Sequence, residues 1–367
     1  MLALLVGTVL PAAVATPTSP RLELIEKENL RTGYGVKAVR ISPDGSRVYS
    51  VNLEEMNVFE FDRRTRRLLR RIDFTPHPGR GYDYQKKVAI DSFEEKPVEC
   101  CFSHRGRILW LSLHNGAGVV AWDLVNTETA VPGRPFKEVT LTDAVTGNKR
   151  KARLLFIPTG KTPKVLVASR DGRWLFVSNW HSHSLTVVDI ASADPSGWAV
   201  TRTLTGFATP RGMEVSPDNR LLYVAEMGSD RIKVLDLPSG KLLRTIRTGV
   251  NPRHLTVWGK VMYVSLNLGA RLLKLDLATE QVLASVRTAA SPRTVAVSND
   301  GRVVFAVCYT TCVLQAFAGS DLSFLGEWPA QKGTVAVDTW QEGGVLEAWV
   351  GNYAAGSLIV YRFGALP

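Results

Sequence analysis

The chain has 367 residues and carries 45 lysines and arginines against 34 aspartates and glutamates, a formal net charge of +11. Apolar residues make up 45% and charged residues 22%, which excludes a disordered chain, a collagen-like one and a polytopic membrane protein. Length alone suggests two or three domains, a prior that all-β architectures often exceed as one.

In chain order, residues 2–10 form a short apolar run, and Ala13 and Ala15 follow in a small-residue cleavage pattern. The run is shorter than the roughly 20 apolar residues that a bilayer span needs. No basic residue precedes it and no cysteine follows it. We expect an incomplete signal peptide over residues 1–15, a periplasmic or secreted protein, and no transmembrane segment. Residues 21–28 read as a lone strand. Arg63, Arg64, Arg66, Arg67, Arg70 and Arg71 resemble a nucleic-acid patch, but no aromatic platform accompanies them, so nucleic acid is not an expected partner. They map to an outer hairpin, where charge guards a sheet edge.

From Val36 onward one phrase recurs. Residues 210–225 and 292–307 share Pro-Arg, an apolar strand, a Ser-x-Asp turn, an arginine and a second apolar strand. Copies start at 36, 97, 163, 210, 252, 292 and 332, spaced 61, 66, 47, 42, 40 and 40 residues apart. Each unit reads as four short strands; in the fourth copy they cover residues 213–216, 221–225, 231–237 and 241–247. Four-stranded units of this length, repeated seven times, predict an all-β, seven-bladed β-propeller. One domain over residues 20–367 is expected, with insertions near 76–96 and 142–162 forming a wall over the channel mouth. The last unit lacks a fourth strand, and residues 21–28 are expected to supply it, closing the ring.

The phrase Ser-Pro-Asp-Gly/Asn-x-Arg with its following strands, clearest at 216–237, 169–190 and 42–61, resembles the YVTN-type β-propeller repeat family. That resemblance implies the fold. It leaves function open, because such repeats occur in surface proteins, periplasmic binding proteins and redox enzymes.

The residue after each anchor is Lys37, Val98, Lys164, Arg211, Arg253, Arg293 or Gly333, and five of these seven are cationic. On a propeller they form a positive ring at the channel mouth that attracts an anion; the alternative is that they brace neighbouring loops. Ends of second strands add His114, Trp180, His181, His183, Glu226 and Tyr309 to the same face, and His254 follows Arg253. Imidazoles suit Zn, Cu or Fe, and His181 and His183 are weak metal candidates, but no fixed-spacing motif supports a metal. Cys308 and Cys312 could bridge a hairpin mouth in an oxidising compartment; buried thiols are the other reading. No nucleophile elbow, complete P-loop or calcium loop occurs.

The leading expectation is a non-catalytic, monomeric binding propeller without cofactor, taking an anionic small molecule or an acidic protein partner. The alternative is a hydrolase. Arg211 with Glu226, and Arg253 with His254, resemble the Arg/His/Glu cluster of lactonase-type propellers, where Glu226 or His254 would activate water.

Overall fold

The computed structural model describes residues 21–83 and 86–364. The leader expected over residues 1–15, and Tyr84 and Gln85, lie outside the described residues.

The second strand of each repeat is buried along nearly its whole length rather than at alternate residues. Leu221–Glu226 and Val303–Cys308, for example, are buried almost throughout. Such a strand needs cover on both faces. Stacking of blades supplies it: Tyr223, Ile232 and Val234 of one blade pack with Leu255, Val264 and Leu273 of the next. Seven four-stranded antiparallel units result. Blade one comprises Val36–Ile41, Arg47–Asn52, Asn57–Asp62 and Leu68–Phe74. The innermost strand of each blade neighbours that of the next, and Val36–Ile41 meets Thr334–Glu342 of blade seven. The expected closure is present. Leu24–Arg31 pairs antiparallel with Ser357–Phe363, with Leu30 opposite Leu358 and Glu28 opposite Val360.

The recurring Ser-x-Asp is a turn clamp. Ser42, Ser169, Ser216 and Ser298 donate their hydroxyls to Asp44, Asp171, Asp218 and Asp300 at 2.5, 2.5, 2.5 and 2.6 Å. The same hydroxyls accept from the backbone N–H of Arg47, Trp174, Leu221 and Val303 at 2.8 to 2.9 Å. Each clamp fixes the register of the two inner strands, and with it the height of the anchor residue in the channel.

The second insertion differs from expectation. Residues 142–162 contain Lys149–Pro158, which is the fourth strand of blade two, pairing Val119 with Ile157. The added element is Phe136–Asp143, lying between the third and fourth strands of that blade. It pairs with Lys149–Pro158 on one side and with Leu68–Phe74 of blade one on the other, joining two blades into a nine-stranded sheet. Its turn meets Leu69, at the end of blade one remote from the mouth, so Lys149 and its neighbours do not wall the mouth. The first insertion is a hairpin, Pro78–Asp83 with Val88–Phe93. Its base is held by Glu95, which bonds the His77 N–H at 2.7 Å and Lys137 at 2.7 Å.

Strand pairing also removes the edge that the arginine run was expected to guard, since Phe136–Asp143 covers it. Five of the six arginines, Arg63, Arg64, Arg66, Arg70 and Arg71, are ion-paired instead. Arg63 bonds Glu347 at 2.9 Å and also Glu342; Arg66 bonds Glu26 at 2.7 Å and also Glu28. They tie blade one to blade seven and to the closing strand. All four cysteines are free thiols. Cys308 contacts Gln315 at 3.7 Å and Cys312 the Tyr309 carbonyl at 3.5 Å, so the Cys308–Cys312 bridge is not formed. Among the described residues, no helix is long and apolar enough to cross a membrane.

Hydrogen bonds from Ser42 and Ser216 hold the Asp44 and Asp218 carboxyls below the usual carboxylate range. The stability they add is present above the unfolded carboxyl pKa and is lost as pH falls through the lower native values. Ser216→Ala is expected to destabilise the fold by about 1 kcal/mol, and urea unfolding at pH 6 and pH 3 should show this deficit shrinking in acid.

Candidate functional site

Proline suits the first position of an inner strand because it has no N–H to donate. In every blade the pairing register shifts just after the anchor, as between Pro210 and Met213 or Pro292 and Val295. Such a bulge re-aims the side chain that follows. Lys37, Lys164, Arg211, Arg253 and Arg293 are thereby grouped at the channel mouth.

Their electrostatics report the convergence. Burial, then Arg293, Arg253 and Arg211, lower the Lys37 ammonium to about 7. Burial, Arg211 and Lys37 hold Lys164 well below its usual value. Burial and then Arg211 lower Arg293 to about 10, and burial with Arg211 and Arg293 holds Arg253 well below its usual value. A guanidinium stays protonated in a protein, so the arginine shifts express repulsion stored in the mouth. Counter-charge is sparse. Glu99 meets Arg211 at 3.3 Å, and Glu54, which accepts from Lys96 at 2.8 Å and from the Tyr353 hydroxyl, lies near Lys37. Aromatic faces supply the rest: Lys37 stands 4.1 Å from the Tyr353 ring centroid, Lys164 4.9 Å from Trp180 and Arg293 3.5 Å from Tyr309. The buried Arg293 Nε has no hydrogen-bond partner.

A cavity of about 200 Å³ opens beside this cluster. Lys37, Lys96, His114 and Lys164 line it, Tyr353 forms one wall, and Tyr82 and Ile90 of the first hairpin form another. The hairpin therefore walls the mouth as expected. His114 Nδ1 lies 2.9 Å from Lys164 Nζ, and burial followed by Lys164 and Lys37 keeps its imidazole neutral. His181 stacks on Trp180, meets the Tyr82 ring edge-on, and bonds Thr162 through Nδ1 at 2.8 Å.

Other expected members sit elsewhere. Glu226 accepts from Ala208 N–H at 2.9 Å and Ser229 at 3.2 Å, and pairs with Lys233 at 3.2 Å. It braces blade four. His254 lines a deeper chamber of about 280 Å³ with Arg40, Glu214 and Asp338. Burial, then Arg40, lower His254 to about 3, and burial raises Glu214 to about 7. The carboxylate on Arg211 is Glu99, whereas Glu226 is paired with Lys233. His183 accepts from Thr209 N–H at 3.2 Å, and among the described residues no three His, Cys, Asp or Glu side chains group to hold a metal.

Sequence reasoning missed Glu99, Glu54 and Lys96 at the mouth, and Arg40, Glu214 and Asp338 below it. Glu99 had a signal: it follows Val98, where the cationic pattern breaks, within a bulge spanning Pro97 to Cys100.

Seven four-stranded blades around a polar channel with a cationic mouth define a seven-bladed β-propeller. A family model described as lactonase, seven-bladed β-propeller, matches residues 38–258, three-fifths of the chain, and the chain belongs to that family. The match supports this propeller family rather than the YVTN repeat family in particular. No curated protein matches the chain significantly.

Because Lys37 binds its proton less tightly folded than unfolded, the unfolded chain holds more protons between pH 7 and the ordinary lysine value, and Lys37 makes stability rise with pH across that window. Lys37→Met is expected to stabilise the protein at pH 7 and to lose part of that advantage at pH 9, read as the difference in urea midpoints.

Proposed function

We propose that the channel mouth is a binding site for a small anionic molecule bearing a carboxylate or phosphate. One observation carries the reading: five cationic side chains converge there with too little counter-charge to balance them, and Arg293 Nε lacks an acceptor. Groups selected only to brace loops would be expected to face carbonyls or carboxylates. A bound anion relieves the repulsion and accepts from guanidinium forks in a partly desolvated site, where charge-assisted hydrogen bonds are strong. The repeat phrase and the apolar run at residues 2–10 support YVTN-type repeats in a protein working outside the cytoplasm.

The test is the Arg211→Ala/Arg253→Ala double variant, titrated calorimetrically against a panel of small carboxylates and organic phosphates. Loss of at least about 30-fold in affinity is expected, from two charge-assisted contacts of about 1 kcal/mol or more each. The variant should also melt higher than the parent at low ionic strength, because repulsion has been removed. Unchanged binding returns the cations to a structural role.

Family membership favours a second reading, hydrolysis of a lactone ring, with the cationic mouth holding the developing oxyanion. Glu226 is committed to Ala208, Ser229 and Lys233, so on this reading Glu99, paired with Arg211, is the carboxylate to activate water. Glu99→Gln is expected to lower lactone hydrolysis at least about a hundredfold while preserving anion binding. A parent protein that hydrolyses no lactone faster than buffer removes this reading.

A further inference from the structure

Three lysines line the cavity beside the mouth: Lys96 is paired with Glu54, whereas among the described residues no carboxylate is ion-paired with Lys37 or Lys164. Lysines at a protein surface are hydrated and often paired. These two instead face rings: Lys37 stands over Tyr353 at 4.1 Å and Lys164 over Trp180 at 4.9 Å. Lys164 is further engaged, its amine 2.9 Å from His114 Nδ1. Among the described residues Lys37 has no hydrogen-bond partner for its amine, and it lines the cavity. The nearest acid, Glu54, is occupied by Lys96 and the Tyr353 hydroxyl. The arrangement is that of an amine held as a nucleophile: desolvated, surrounded by other cations, and aimed into a small cavity.

We propose that Lys37 is a carbonyl-reactive amine that forms a reversible imine with a small 2-oxo acid. The inference rests on the anion-binding reading for the acid half of that ligand. The carboxylate is drawn to Arg293, Arg253 and Arg211, whose charges act on Lys37, and the adjacent ketone is thereby presented toward the cavity that Lys37 lines. Burial and these same arginines, which hold the Lys37 ammonium near 7, leave about half the amine neutral at neutral pH. The neutral Nζ attacks the ketone carbon. Its lone pair makes the C–N bond, the carbonyl π pair moves to oxygen, and that oxygen takes the proton the nitrogen gives up. The resulting carbinolamine takes one proton from solvent and expels its oxygen as water. The nitrogen lone pair closes the C=N bond of a protonated imine, with no oxidant or reductant consumed. Hydrolysis reverses each step. The positive iminium is tolerated where the ligand carboxylate remains beside it.

The test is reductive trapping. Full-length protein is incubated with pyruvate and sodium cyanoborohydride, and the products are read by intact mass and peptide mapping. The expected result is one adduct per chain at Lys37, formed at least about tenfold faster than on an average surface lysine, whose amine is almost wholly protonated at pH 7. Its pH profile should be half-maximal near 7, and both Lys37→Met and Lys37→Arg should abolish it. Labelling spread evenly over the lysines, labelling at Lys164, or no labelling overturns the proposal. Acetone, a ketone that lacks the carboxylate, should react more slowly; an equal rate overturns the assignment to 2-oxo acids. Lactate, which has the carboxylate but no ketone, separates the two levels of inference. If lactate raises the melting temperature and pyruvate still leaves no adduct, anion binding stands and the imine falls. If neither acid binds, both fall.

Discussion

Ring closure is the constraint on which the rest of the molecule depends. Seven blades meet only if the first and last are joined, and here the joint is the pairing of Leu24–Arg31 with Ser357–Phe363. That pairing covers an edge that would otherwise be open to other chains. Ion pairs from Arg63 and Arg66 to Glu347 and Glu26 fasten blade one across the same seam. Once the ring is closed, the distance of each inner strand from the axis is no longer adjustable. Side chains projected inward by the anchor bulges must share whatever space remains. The charge density of the mouth is thus a product of closure as much as of composition.

Crowding of like charge is tolerable because the surrounding fold determines the positions of these residues independently. Each cation begins its own blade within a register shift, after a proline in four cases and after Val36 in the case of Lys37, and none depends on another cation for its placement. Tyr309, Tyr353 and Trp180 offer ring faces in place of carboxylates, which moderates repulsion without neutralising it. A site made this way keeps its affinity for anions, since no internal acid competes for most of its donors. Glu99 is the exception, and its presence on Arg211 introduces a carboxylate ion-paired within the cationic cluster itself.

The repeat was legible in the sequence because the same turn chemistry recurs: a Ser-x-Asp clamp leaves a residue-level trace every time it is used. Closure was legible from a missing strand at one end and a spare one at the other. The cationic position could be read because register, once found, places equivalent residues on equivalent points of the ring. Deviations from equivalence were not legible. The second insertion was misplaced because Phe136–Asp143 and Lys149–Pro158 are both good strands, and only tertiary pairing decides which belongs to blade two. Glu226 looked available because its sequence position is correct; its commitment to Ala208, Ser229 and Lys233 depends on loop backbone that no spacing reveals. His254 was placed at the rim, whereas the pleat and bulge turn it inward and down, toward Arg40 and Glu214.

Seven similar blades suggest a ring with the same compliance all round, but the strand Phe136–Asp143 breaks that equivalence. By hydrogen-bonding blade one to blade two along their outer edges, it converts two leaves that elsewhere touch through side chains into one continuous sheet. This arc carries the hairpin and, through Lys37, His114 and their neighbours, most of the cavity wall. The opposite arc, blades four to six, supplies Arg211, Arg253 and Arg293, and its blades are joined by packing and by side-chain bonds such as Arg244 to Glu280 and Tyr263 to the Gly319 carbonyl, not by a shared sheet. The mouth therefore has two unlike sectors: one continuous sheet that carries the hairpin and most of the lysine cavity, and facing it three separate blades, each presenting one arginine.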